Sequence, residues 1–140
     1  MDLYCLQKKR ANAERRFTGG SSGICWLWVA VDRHEHRFVS FTLGSRVDDK
    51  AKEIWNAVKN PNVALVMTDH WMVYPRVLPK EMHKATKRQT FTVEGYNSVL
   101  RHSLARLHRR TKCYSKSRTM LDYSLRLLMA KWNNELSAII

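Results

Sequence analysis

The sequence predicts a mixed α/β domain, and three observations predict it. Ile24 to Val31 (ICWLWVAV) is an unbroken apolar run of strand length, and Phe38 to Leu43 (FVSFTL) alternates Val39, Phe41 and Leu43 with Ser40 and Thr42. Ala51, Ile54, Trp55 and Val58 fall at i, i+3, i+4 and i+7, the stripe of an amphipathic helix. Val63 to Met67 (VALVM) then reads as a strand apolar on both faces, which a helical crossover of this length normally returns parallel to an earlier strand of the same sheet.

Leu3 to Leu6 is a short apolar run that opens the series as a strand, or what is left of one. Residues 8 to 23 read as a basic loop closed by Gly19-Gly20-Ser21-Ser22-Gly23, residue types that suit tight turns. The two runs that follow make a hairpin around Asp32 to His36. Asp48 and Asp49 are expected N-caps of the helix, and Asn60-Pro61 stops it. Residues 70 to 91 are irregular, with Pro75 and Pro79 and room for one edge strand near Met82 to Ala85. A helix is expected from Val93 to Arg110 on the stripe Tyr96, Val99, Leu100 and Leu107, and a second from Thr119 to Trp132 on Leu121, Leu125, Leu128, Met129 and Trp132. Both stripes are packing faces. At 140 residues and 44% hydrophobic, the chain is one domain with enough apolar side chain for a core.

Charge narrows the function. Lys and Arg number 25 against 12 Asp and Glu, a formal net charge of +13, and residues 76 to 118 alone hold 12 Lys or Arg against Glu81 and Glu94. Concentrated like charge repels itself and is matched by a polyanion whose counterions it releases, so nucleic acid is the leading partner. No apolar run approaches the roughly 20 residues of a membrane helix, and no signal core opens the chain, so neither membrane spanning nor secretion is expected. Cys5, Cys25 and Cys113 are odd in number and widely spaced, which predicts ordinary apolar thiols in a reducing cytoplasm and no structural zinc.

Two acids occupy site-like positions in this basic chain. Asp69 stands at the carboxyl end of the doubly apolar strand, where open α/β sheets expose ligand-binding residues. Glu94 opens the long helix, with Arg101 and His108 below it on the same face, Asn97 and Ser98 flanking, and the apolar stripe opposite. Two carboxylates among cations suit divalent metal and phosphate. A plainer reading is open for each: Asp69 ends a strand and starts a turn, and Glu94 complements a helix dipole. Asp32 and Glu35 read as turn residues, and His34-Glu35-His36, without i, i+4 helical spacing, as an exposed hairpin tip rather than a zinc site.

Several segments together resemble the transposases of the insertion sequence 1 family. They are Trp26-Leu27-Trp28-Val29-Ala30-Val31-Asp32, Thr68-Asp69-His70-Trp71 with Tyr74, Thr86-Lys87-Arg88-Gln89-Thr90, and Glu94-Gly95-Tyr96-Asn97-Ser98-Val99-Leu100-Arg101-His102. Leu104-Ala105-Arg106-Leu107-His108-Arg109-Arg110-Thr111-Lys112 and Tyr114-Ser115-Lys116-Ser117 extend the match over most of the chain from about Trp26 to about Trp132.

The resemblance implies a ribonuclease H-like fold: three antiparallel strands, a helix and a parallel strand, flanked by helices. It implies DNA cleavage and strand transfer by two Mg²⁺ or Mn²⁺ ions on an Asp, Asp, Glu triad, in a bacterial, nucleoid-associated protein acting on DNA as a dimer or larger assembly. Asp69 takes the place of the second Asp and Glu94 that of the Glu, as catalytic residues and metal ligands. Asp2, three positions past the place of the first Asp in the family pattern, is the nearest candidate for it, with an Asp encoded upstream as the alternative, so the catalytic domain is expected to be truncated at its N-terminus and to lack part of the first strand. Lys87, Arg88, Arg101, Arg106, Arg109 and Arg110 are the expected DNA contacts. The family's amino-terminal DNA-reading part has no counterpart here, and Gly95 replaces the Arg usual beside the Glu. A catalytically inactive DNA-binding remnant is the alternative.

Overall fold

The computed structural model describes residues 2–12, 24–87, 91–104, 107 and 117–135, with the side chains of residues 2–12, Ile24 and Thr92 left aside. Strands β1 (Asp2–Asn12), β2 (Ile24–Asp32) and β3 (Arg37–Gly44) pair antiparallel in sequence. Helix α1 (Asp48–Val58) carries the chain over to β4 (Val63–Thr68), which lies parallel to β1 on its free side. A short helix α2 (Tyr74–Val77) precedes β5 (His83–Ala85), an edge strand parallel to β4. The sheet therefore runs β3-β2-β1-β4-β5. The mixed α/β class, the hairpin, the parallel return and the edge strand all stand as the sequence predicts.

Helices cover both faces. Trp28, Ala30 and Val66 point to the side filled by Ala51, Ile54 and Val58 of α1 and by Tyr74. Leu27, Val29, Val31 and Met67 point to the other, beneath α3 (Phe91–Ser103) and α4 (Arg118–Trp132), which contribute Val93, Leu100, Leu121 and Leu125. This explains why β2 is apolar without alternation: each face has its own core.

Four local expectations change. Residues 8–12 extend β1 instead of forming a loop, because Trp28 to Ile24 offer a ladder partner at every position and pairing overrides the local polarity of Lys8, Lys9 and Arg10. The rest of the expected loop, 13 to 23, lies outside the described residues. Asp48 and Asp49 do not cap α1; Val47 holds that position without a side-chain bond, and the two acids sit in the first turn, where they complement the helix dipole. Helix α3 starts at Phe91 and ends at Ser103, and most of residues 105 to 116 is outside the described set. Trp132 and Val99, both assigned to packing stripes, are exposed and half-buried respectively.

The outer strand β3 is tied to α4 by side chains. Asn133 accepts from the Phe38 N–H at 2.9 Å and donates to the Phe38 carbonyl at 2.8 Å, imitating a strand neighbour. Arg118 donates to the Leu43 carbonyl at the strand's far end. Phe38, Tyr96 and Trp132 meet edge to face, with centroids 4.8 to 6.5 Å apart. Ser117 caps α4 by accepting from the Met120 N–H at 3.3 Å. No helix among the described residues is long and apolar enough to cross a membrane.

Helix α4 supplies a paired test of this packing. Leu121→Ala, at a fully buried position, should cost about 2–5 kcal/mol in urea unfolding, whereas Leu127→Ala, 57% exposed on the same helix, should stay within about 0.5 kcal/mol of wild type.

Candidate active site

Asp69 follows directly on β4, whose last residue, Thr68, is fully buried. Pairing fixes Thr68 on both sides: Leu6 of β1 lies beside it, and its carbonyl accepts from the Thr86 N–H at 2.8 Å. The Thr68 hydroxyl lies 2.9 Å from the Asp69 carbonyl and 2.6 Å from His83 Nε2. Its single proton goes to the carbonyl, so the neutral His83 ring carries its proton on Nε2 and donates to the hydroxyl. This relay holds the backbone of Asp69.

The Asp69 carboxylate turns back on its own chain. Oδ1 accepts from the Trp71 N–H at 3.1 Å, an Asx turn, and no other described residue bonds the carboxylate. One oxygen thus serves the turn, as the plainer reading of Asp69 expects, and the other is bonded by no described residue. The same charge, after the larger effect of burial, pushes the phenol of the fully buried Tyr74 far above its ordinary value.

Glu94 sits in the first turn of α3, exposed, and forms no ion pair with a described residue. Arg33, which the sequence reading did not single out, ties this helix start to the sheet. Its guanidinium lies 5.0 Å from the centroid of Phe91 while Nη1 reaches Met67 Sδ at 3.8 Å, two residues before Asp69. Along the helix Arg101 is half-buried, with an Nε–H that finds no acceptor among the described residues. Asn97, expected on the polar face, is buried instead, because it follows Val93 by one turn toward the sheet.

Asp2 is not brought to Asp69. The parallel register sets Asp2 beside Val63 and Leu6 beside Thr68, so Asp2 lies at the opposite end of β4, roughly 20 Å from Asp69 along a strand rising about 3.3 Å per residue. Asp32 is a turn residue, as expected: its Oδ1 accepts from the N–H groups of His34 (2.9 Å) and Glu35 (3.1 Å), and both of those side chains are exposed. Its complete burial, with Oδ2 unpartnered, gives no signal in the sequence. Among the described residues no three His, Cys, Asp or Glu side chains converge as metal ligands. Lys87 is exposed just after β5; Arg88, Arg106, Arg109 and Arg110 lie outside the described residues. A second missed residue is Arg46, in cation–π contact with Trp26 and Trp71, for which the two well-separated tryptophans were the sole signal.

Fold and site together define a strongly basic α/β protein with a positioned carboxylate at the carboxyl end of a parallel strand. Comparison with known proteins places it: the sequence pattern of the family described as IS1 transposase matches residues 9–131, and the chain belongs to that family. It is 32% identical over 101 residues to the insertion element iso-IS1n protein InsB of Shigella dysenteriae, covering 72% of this chain and 77% of that one. It is 33% identical over 106 residues to the insertion element IS1 4 protein InsB of Escherichia coli K12, covering 76% of this chain and 64% of the relative. The IS1 protein InsB of Shigella flexneri is 32% identical over 106 residues, 76% and 81% of the two chains.

The His83 relay predicts a pH dependence. Burial lowers the His83 pKa from its ordinary 6.5, so the unfolded chain binds the proton more readily. Stability should be full above about pH 6.5 and fall as pH drops through the lowered value. Denaturant unfolding from pH 7.5 to 5 should show this decline in wild type and a smaller one in His83→Gln.

Proposed function

We propose that this chain cuts DNA strands at the ends of an insertion element and joins them to target DNA, using divalent metal, Mg²⁺ or Mn²⁺. One observation carries the reading: in a chain of the IS1 transposase family, Asp69 stands at the end of parallel strand β4 with one carboxylate oxygen fixed by the Trp71 N–H and the other open. The order of three antiparallel strands, helix and parallel strand supports a ribonuclease H-like assignment.

Asp69 and Glu94 would hold the metal. Both offer hard carboxylate oxygens, the donors such cations take, and neither is neutralised by an ion pair with a described residue. When bound, the metal supplies charge stabilisation at the reacting phosphate and a more acidic water or hydroxyl. The chain's own residues do the positioning. The His83–Thr68 relay and the Asx turn fix Asp69, and Arg33 steadies the helix start that carries Glu94. Lys87, Arg88, Arg101, Arg106, Arg109 and Arg110 neutralise backbone phosphates, contacts that orient DNA without reading its sequence. Two copies or more acting together on DNA belong to the same reading.

Asp2, beside Val63, favours a second reading in which the triad is incomplete and the protein binds DNA without cutting it. Incubation with DNA bearing insertion-element terminal repeats separates the two. Catalysis predicts nicked and joined products in Mg²⁺ or Mn²⁺, none in EDTA, and a loss on the order of 10²-fold or more in Asp69→Asn and Glu94→Gln. Salt-sensitive binding with no products under any condition establishes the second reading instead.

A further inference from the structure

At the same end of the sheet as Asp69, on the α1 side, the guanidinium of Arg46 lies between two indoles, 4.4 Å from the ring centroid of Trp26 and 3.9 Å from that of Trp71. A guanidinium in cation–π contact with two rings still has the N–H groups in its own plane for hydrogen bonds. Among the described residues its buried Nε–H has no acceptor, and no carboxylate pairs with Arg46. A buried donor without an acceptor is costly, and its persistence calls for an explanation.

The backbone holds the cation in place. Trp26 pairs with Gly44 across β2 and β3, and the Trp28 indole N–H donates to the Ser45 carbonyl at 3.0 Å. Gly44 takes a φ of +154°, a conformation that favours glycine, and a Cβ there would come within 2.5 Å of Lys50 Cε. Trp71, the second ring, is also the residue whose N–H bonds the Asp69 carboxylate, so clamp and carboxylate share one turn.

We propose that Arg46, held by cation–π contact with Trp26 and Trp71, grips a DNA backbone phosphate beside Asp69. A guanidinium edge is a fork that matches two oxygens of one anion, which an ammonium cannot reproduce. The chain's net charge of +13 selects a polyanion over an isolated carboxylate as the source of those oxygens. The inference rests on the DNA reading above and adds to it a binding residue outside the basic segment 76–118.

The test uses the full chain and a fluorescein-labelled duplex bearing the terminal repeat, with binding followed by anisotropy in EDTA. Arg46→Lys keeps the charge and loses the fork: affinity should fall about tenfold while the slope of log Kd against log salt is unchanged. A correctly folded Arg46→Lys that binds within twofold of wild type overturns the proposal. If thermal melting shows that variant to be unfolded, Trp71→Phe decides, since it keeps the backbone N–H to Asp69 and weakens only the stack. A loss of about threefold supports the clamp, and unchanged affinity overturns it. Cleavage by Asp69→Asn, run in parallel with Mg²⁺, separates the two claims. Normal Arg46→Lys binding with abolished Asp69→Asn cleavage sinks the clamp alone, and the reverse sinks the catalytic reading alone. A wild type that binds no duplex overturns both.

Discussion

The carboxyl end of β4 is where it is because β1 is paired on both of its edges, antiparallel to β2 and parallel to β4. Where both ladders run, backbone groups are satisfied on both edges, and the register fixes the neighbours, since a slip by one would exchange the two apolar faces of β4. Thr68 is held between Leu6 and the Thr86 N–H by that register, and Asp69 is the first residue freed from it. The constraint that positions Asp69 also keeps Asp2 away, beside Val63, six positions before Asp69.

Around this strand end, small polar devices take over from the ladder. The Thr68 hydroxyl, His83 and the Trp71 N–H fix the backbone and the carboxylate of Asp69 from three directions. Thr68 and Trp71 flank Asp69 in the chain and His83 comes from β5, and none of the bonds is strong alone. Their joint effect is preorganisation: a half-buried carboxylate keeps one oxygen committed to structure and one open. Two arginines extend the same economy to the neighbouring elements, Arg33 against Phe91 and Met67, and Arg46 between Trp26 and Trp71.

The outer edge of the sheet follows a different logic. A strand with one edge unpaired, such as β3, is a template for association with other chains. Here both hydrogen-bonding groups of Phe38 are taken by the Asn133 amide, and the Leu43 carbonyl by Arg118, so α4 covers the edge at two points. Between them, Tyr123 and Leu127 remain exposed beside β3 and line a groove of about 830 Å³.

By itself the sequence determined the α/β class, the hairpin, the parallel return to β4, the edge strand and the apolar stripes of the helices. These depend on periodicity and on local breakers such as Asn60-Pro61, which a short window of chain displays in full. It also marked Asp69 and Glu94, because acids are conspicuous in a chain of such positive charge. Tertiary structure alone decided the rest. Residues 8–12 became strand because β2 offered partners, and Asp32 and Asn97 were buried by layers that come from elsewhere in the chain. The distance of Asp2 from Asp69 is a matter of register, and the stack on Arg46 joins residues 26, 46 and 71. Such contacts depend on which segments meet, and that follows from the sum of all pairings and packed faces rather than from any local pattern.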